Sequence, residues 1–206
     1  KLYQNKGRYL RFRSVENVLA EIKAVRTKYG LRTVYMADDT FISNSSWVCE
    51  FLDRYAIEID LPLICLIRVD LLTEEIAQKL KKAKCHCVFY GIESGNERLR
   101  TQILGKCLTD EQIFKATALL KQYGIKSRVY NMIGIPGETI ENAFQTVDMN
   151  IKIKAEYPWC SLLQPYPRTK IEEYARKQSA LNPRSDSFAP SFFYSSVISS
   201  SEKKEL

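Results

Sequence analysis

Val88-Phe89-Tyr90-Gly91-Ile92-Glu93-Ser94-Gly95 is the stretch from which the fold of this chain is read. Cys87 to Tyr90 are small, β-branched or aromatic, which predicts a buried strand. Polarity then arrives at once, as a glycine, a carboxylate, a hydroxyl and a second glycine. A strand ending this way sends a carboxylate and a hydroxyl out of the end of a sheet. In parallel α/β proteins that carboxyl edge is where ligands bind. The bland alternative is a helix N-cap, with Ser94 or Asn96 capping the helix that follows. Four other strands with similar polar ends weigh toward the ligand site.

Working outward, the segments on both sides alternate between strand and helix. Upstream, Ser14 caps a helix to about Tyr29, carrying the apolar stripe Val15, Val18, Leu19, Ile22 and Val25. Thr33 to Met36 is a short strand ending in Ala37-Asp38-Asp39-Thr40, and a helix follows Asn44 or Ser45. Leu63 to Ile67 is an apolar strand ending in Arg68-Val69-Asp70, and Thr73 then caps a helix to about Ala83. No capping box is expected there, because the residue three after Thr73 is Ile76.

Downstream, helical segments are expected over Glu97–Ile103 and Asp110–Tyr123, then a strand over Ser127–Ile133 ending in Gly134-Ile135-Pro136-Gly137-Glu138-Thr139. A helix runs from about Thr139 to Lys154. The last strand, Trp159–Leu163, ends in Gln164-Pro165-Tyr166-Pro167-Arg168-Thr169 before a short helix to about Lys177. Strand then helix, five times over, predicts a parallel α/β protein whose crossovers place every carboxyl end at one edge. From Ser179 the chain is Ser-rich and aperiodic, with aromatics at Phe192-Phe193-Tyr194, and reads as a linker or the start of a further region. The expected organisation is therefore a core over residues 1–178 and a tail over 179–206.

Composition agrees with a single soluble domain. The chain has 206 residues, 45% hydrophobic and 27% charged, enough for a real core. No apolar run approaches the roughly 20 residues that span a bilayer, and no signal peptide opens the sequence, so a cytoplasmic protein with no membrane partner is expected. Net charge is +7, part of it in Lys1, Lys6, Arg8, Arg11 and Arg13 and part in Lys79, Lys81, Lys82 and Lys84. The second group complements a helix dipole. The first is suited to an anionic substrate, and leaves nucleic acid open as a partner.

Six cysteines occur, at 49, 65, 85, 87, 107 and 160, with no Cys-x-x-Cys pair. In Cys85-His86-Cys87, strand alternation puts both thiols on one face and the single histidine on the other, the pattern of a buried strand and not of a metal site. One histidine so placed also argues against a Ser-His-Asp triad, and no Walker loop is present.

The five strand ends together offer Asp38, Asp39 and Thr40; Arg68 and Asp70; Glu93 and Ser94; a Gly-x-Pro-Gly-Glu turn; and a Pro-Tyr-Pro. Five polar ends at one mouth suit a polar ligand with several functional groups. Acids here can serve acid–base work, or hold an amino group or ribose hydroxyls.

Ala-Asp-Asp-Thr-Phe, Gly-Ile-Glu-Ser-Gly, Ile-Gly-Ile-Pro-Gly-Glu-Thr and Gln-Pro-Tyr-Pro-x-Thr, in this order and spacing, resemble the radical S-adenosylmethionine (SAM) superfamily over about Ser14 to Lys177. The likeness is greatest to the branch that often carries a cobalamin-binding domain upstream. The resemblance implies a partial parallel (β/α)6 barrel of the TIM type. It places Asp38 and Asp39 on the methionine amino group of SAM and Glu93, with Ser94 beside it, on the ribose hydroxyls. Gly134, Pro136 and Gly137, with Pro165 and Tyr166, would flank the adenine, and Arg68 would lie toward the cluster side. No residue is assigned to catalysis.

The family's Cys-x3-Cys-x2-Cys loop, which binds a [4Fe–4S] cluster, has no counterpart here, and neither has the first barrel strand. The resemblance thus implies a fragment beginning just after the third cluster cysteine, with the cluster ligands upstream of Lys1 and the basic run to Arg13 leaving the cluster. The implied activity is reductive cleavage of SAM to a 5′-deoxyadenosyl radical that acts on an unknown substrate. The implied company is a [4Fe–4S] cluster, cobalamin on an upstream domain, and an electron donor such as flavodoxin or ferredoxin. An RNA methylthiotransferase of the same superfamily is the neighbouring reading. A degenerate barrel serving as an interaction scaffold, and a parallel-barrel enzyme unrelated to SAM, are the rivals from other classes.

Overall fold

In the computed structural model, which describes residues 11–178, 180–181, 191–194 and 196–198, strands and helices alternate along the chain. The strands are β1 (Val34–Met36), β2 (Leu63–Leu66), β3 (Cys85–Glu93), β4 (Lys126–Ile133) and β5 (Tyr157–Leu162). The helices are α1 (Val15–Tyr29), α2 (Ser45–Glu58), α3 (Glu74–Lys82), α4 (Asp110–Gln122), α5 (Ile140–Lys152) and α6 (Lys170–Lys177). Every strand pair is parallel, in the order β1-β2-β3-β4-β5. Strands in chain order with a helix in each crossover make the wall of a partial barrel, and they bring five carboxyl ends to one edge. The basic residues Lys1, Lys6 and Arg8 lie outside the described residues.

Local chemistry fixes the helix starts. The Ser14 hydroxyl accepts the Asn17 N–H at 3.2 Å, and the Thr73 hydroxyl accepts that of Ile76 at the same distance. Ile76 has nothing to give back, so α3 carries a single cap bond. At α4 and α5 the bond is returned: the Gln112 and Asn142 side chains accept the N–H groups of Thr109 and Thr139 at 2.9 and 3.3 Å. Such caps contribute about 1 kcal/mol each.

Alternation along the strands divides their residues between two faces. Val34, Leu63, Cys65, Val88, Tyr90, Ile92 and Val129 pack against helix residues such as Leu19, Phe51, Leu52, Ile76, Leu80 and Ile113. Full burial of each large apolar side chain contributes about 1.5–3 kcal/mol, so this layer dominates stability. The inner face presents Ile64, Leu66, Phe89, Arg128 and Tyr130, all half-buried. Cys85 and Cys87 are buried and His86 is exposed.

Three features differ from the sequence reading. β3 runs on to Glu93, because Gly91 pairs with Tyr130 and Glu93 with Asn131 across a shift in register. The helical segment expected over 97–103 is present, but most of it, Leu99–Ile103, winds as a π turn. Part of the supposed linker is packed: Leu162 N–H donates to the Phe192 carbonyl at 2.7 Å, and the Phe193 ring meets Trp159 edge-on at 5.3 Å. Ile198 is buried in a second small cluster with Leu99, Ile135 and Leu163.

Candidate active site

β1 delivers Asp38 and Asp39 to its carboxyl end, both exposed. They line a cleft of about 950 Å³ together with Tyr35, Thr40 and Arg68. Arg68 is locked to Asp70 by two bonds, Nε to Oδ1 at 3.1 Å and NH2 to Oδ2 at 2.7 Å. Burial works against the Asp70 charge, yet the Arg68 bonds hold its carboxyl below the ordinary range. Asp38, Asp39 and Arg68 are thus brought together, as expected from the order of the strands.

Glu93 sits at the end of the central strand with φ +67°. A left-handed carboxylate residue costs on the order of 1–3 kcal/mol, and such strain clusters at ligand sites. Its side chain folds back over Gly91: a Cβ at that position would lie 2.1 Å from Glu93 Oε1. Gly91 therefore makes room for the carboxylate of Glu93 itself. Lys106 Nζ donates to the same oxygen at 2.8 Å from the loop after the π turn. Lys106 is a site residue that sequence reasoning missed. Its only local mark is the glycine before it, Gly105, in a left-handed turn at φ +67°.

The neighbours of Glu93 are turned inward. Ser94 is fully buried; its hydroxyl accepts the Asn96 N–H at 3.2 Å, and its carbonyl accepts from Arg100 NH1 at 2.6 Å. Asn96 caps the turn that follows, accepting the Leu99 N–H at 2.9 Å. Gly95 is a contact point for α5: a Cβ there would lie 2.1 Å from the Gln145 carbonyl oxygen. Arg100, fully buried, also donates to the Leu108 carbonyl at 2.6 Å and pairs with Asp110. It ties the end of β3 to the loop carrying Lys106, and so fixes the Glu93–Lys106 pair from behind.

At the end of β4 the Gly134–Glu138 turn is held by its own acid. Glu138 Oε2 accepts the N–H groups of Gly134 at 2.5 Å and Ile135 at 3.1 Å, while Oε1 is buried without a hydrogen bond. Burial raises the carboxyl's pKa, and the two backbone bonds pull it partly back. Gly134, Pro136 and Pro165 are buried, whereas Gly137 and Tyr166 are exposed. Ile135 and Leu163 pack together, so the β4 and β5 ends form one block. β2 and β3 lie between that block and the acids of β1.

These residues fit SAM. Two exposed acids flank an open cleft for a cationic amino acid, a central carboxylate is poised for a diol, and an apolar block with a glycine turn lies beyond for a flat ring. They do not fit an iron–sulfur cluster. All six cysteines are described, spread over α2, β2, β3, β5 and the loop before α4, and no three potential ligands converge among the described residues. No helix among the described residues is long and apolar enough to cross a membrane.

The profile of the radical SAM superfamily matches residues 3–149. An uncharacterised methyltransferase of Pyrococcus horikoshii is 31% identical over 170 residues, which are 82% of this chain and 37% of that protein. A Methanocaldococcus jannaschii protein named provisionally as a methylthiotransferase is 26% identical over 174 residues, 80% of this chain and 38% of that one. This chain therefore spans little more than a third of such relatives. Among solved structures, the radical SAM methyltransferase TsrM of Kitasatospora setae, with cobalamin and a [4Fe–4S] cluster bound, superposes with a TM-score of 0.73 at 21% identity, covering 85% of this chain and 37% of TsrM. That likeness is one of fold.

Proposed function

The chain belongs to the radical SAM superfamily, and from that membership we propose that the intact protein is an enzyme that holds SAM along the carboxyl edge of this sheet. The observation that carries the reading is the strained, paired Glu93 at the mouth of the central strand, with the Asp38–Asp39 cleft on one side and the Gly134–Glu138 turn on the other. SAM, once bound, would supply a 5′-deoxyadenosyl radical or a methyl group.

The roles of this chain's residues follow from their chemistry. Asp38 and Asp39 accept hydrogen bonds from the methionine amino group. Glu93 accepts from the ribose hydroxyls, and Lys106 keeps its carboxylate aimed. Arg68, fixed by Asp70, presents a cation on the cleft wall. Gly134, Pro136, Gly137, Pro165 and Tyr166 bound the adenine and keep water from it. Ser94, buried and bonded within its own turn, lies outside the proposed contact set.

Cluster, cobalamin and the electron donor, such as flavodoxin or ferredoxin, are proposed for the intact protein. No step is assigned to the cluster in the described residues. Within the family, the names of the Pyrococcus relative and of TsrM favour methyl transfer. Anaerobic incubation of the intact, reconstituted protein with SAM and a reductant tests the proposal. Formation of 5′-deoxyadenosine or S-adenosylhomocysteine is expected, the second marking methyl transfer. Neither product, from protein holding a full cluster, would refute it.

A further inference from the structure

The inner face carries a feature centred on Arg128, a residue to which the SAM reading gives no role. Tyr35, Phe89 and Tyr130 form a belt across β1, β3 and β4, with ring centroids 5.8 Å apart for the first pair and 6.2 Å for the second. Arg128 is set into this belt. Its guanidinium carbon lies 5.3 Å from the centre of the Phe89 ring and 4.8 Å from that of Trp159. Two cation–π contacts position the group and use none of its N–H donors. Among the described residues no acid pairs with it and no hydrogen bond engages its guanidinium.

A cation half-buried among aromatic rings with no counter-ion is unfavourable unless something anionic completes it. The fully buried guanidinium of Arg100, by contrast, has Asp110 and two carbonyls, and even the exposed Arg68 has Asp70. The phenols of Tyr35 and Tyr130 flank Phe89 on the same face, close enough for Tyr130 and Arg128 to act on Tyr35 electrostatically. The Tyr35 hydroxyl titrates above its ordinary value through desolvation first and the Tyr130 phenol second, with Arg128 acting in the opposite direction. Arg128 offers a planar fork that matches an oxyanion in two bonds, and each phenol adds a donor.

We propose that Arg128, Tyr35 and Tyr130 form an anion seat on the inner face of the barrel, and that the substrate docks there by a carboxylate or a phosphate. The statement about substrate rests on the SAM reading above. The seat itself rests on the geometry of these side chains.

The test is an NMR titration of the intact protein, followed on both the ligand and the tryptophan indole signals, with benzoate, phenyl phosphate and, as the neutral control, benzyl alcohol. At least one anion should bind roughly 10-fold or more tightly than the alcohol, the gain for a charge-assisted bond. The tighter of the two anions identifies the headgroup. Arg128→Met should abolish the preference, and Arg128→Lys, which keeps charge but loses the fork, should lose most of it. The Trp159 indole resonance, adjacent to Arg128, should move on titration while that of Trp47 stays, a readout that needs no variant to fold. Equal binding of anions and alcohol, an unchanged preference in folded Arg128→Met, or a response absent at Trp159 would overturn the proposal. SAM titrated into the Arg128 variants reports on the preceding reading, since of the three residues only Tyr35 lines the Asp38–Asp39 cleft and Arg128 does not.

Discussion

The Lys106 ammonium lies 2.8 Å from Glu93 Oε1, directly over Gly91, where a Cβ would approach that same oxygen to 2.1 Å. Three residues from two segments thus share one small volume at the end of the central strand. The carboxylate occupies its place only because position 91 has no side chain.

Gly91→Ala should therefore act on the ligand and not on the fold. The atoms in its way are the far end of a flexible Glu93 side chain and Lys106 Nζ, which can move into solvent. The melting temperature should stay within a few degrees, corresponding to about 1 kcal/mol, while SAM affinity falls. Gly95→Ala should do the reverse. Its Cβ meets the backbone of α5, which cannot step aside, so expression and thermal melts should report a folding defect.

Lys106→Met should barely alter stability. Both members of the pair remain partly in contact with water, and such pairs contribute about 0–1 kcal/mol. Calorimetry should show a weaker SAM affinity, because the carboxylate is no longer aimed. A loss of several kcal/mol in a denaturant titration would make the pair a structural one.

Much of this arrangement was legible in the sequence, and the part that was not shares one physical origin. Alternating apolar runs and capping residues are local, so five strands, their helices and the shared edge follow from spacing along the chain. The fate of Gly91 is a matter of close packing. A glycine beside Glu93 reads as space for a ligand, and only the folded chain shows the space filled by Glu93. Lys106 and Arg100 escaped because their partners lie across a π turn whose one-residue bulge no periodicity announces. Arg128 reads as an ordinary strand arginine until Phe89 and Trp159, from neighbouring strands, close on it. The packing of Phe193 and Ile198 likewise depends on a non-local partner, β5 and the cluster above it.

Glu138 should show two separable effects. Glu138→Ala strands two buried N–H groups and should cost about 1–3 kcal/mol for each. Glu138→Gln keeps an acceptor for both and should be far milder. The sign of the pH effect follows from a folded pKa raised by burial. The folded chain holds the carboxyl proton more tightly than the unfolded chain does. Wild type should then lose stability relative to Glu138→Gln as pH rises from about 4.5 through the raised folded value, and level off above it. Paired chemical melts across that range check it; a gap that is constant with pH would contradict the burial of a titrating group.

The 206 residues alone should bind no stable [4Fe–4S] cluster. Cys65, Cys85 and Cys87 are buried, Cys49 is half-buried, and Cys107 and Cys160 are exposed on different segments. A cluster needs thiolates converging on one point. Anaerobic reconstitution of this chain should leave it colourless, and a brown product with four irons in every chain would contradict the site as drawn.

The most direct test is calorimetric titration of SAM into the intact, reconstituted protein and into its Glu93→Ala variant, with a thermal melt of each. A hydrogen bond to a charged group is worth about 1.5–3 kcal/mol, so the variant should bind SAM roughly 10- to 150-fold more weakly. Its melting temperature should hold or rise slightly, since alanine removes a partly solvated carboxylate and leaves Lys106 free to reach water. Unchanged SAM affinity together with a lowered melting temperature would make Glu93 a structural residue and contradict the account.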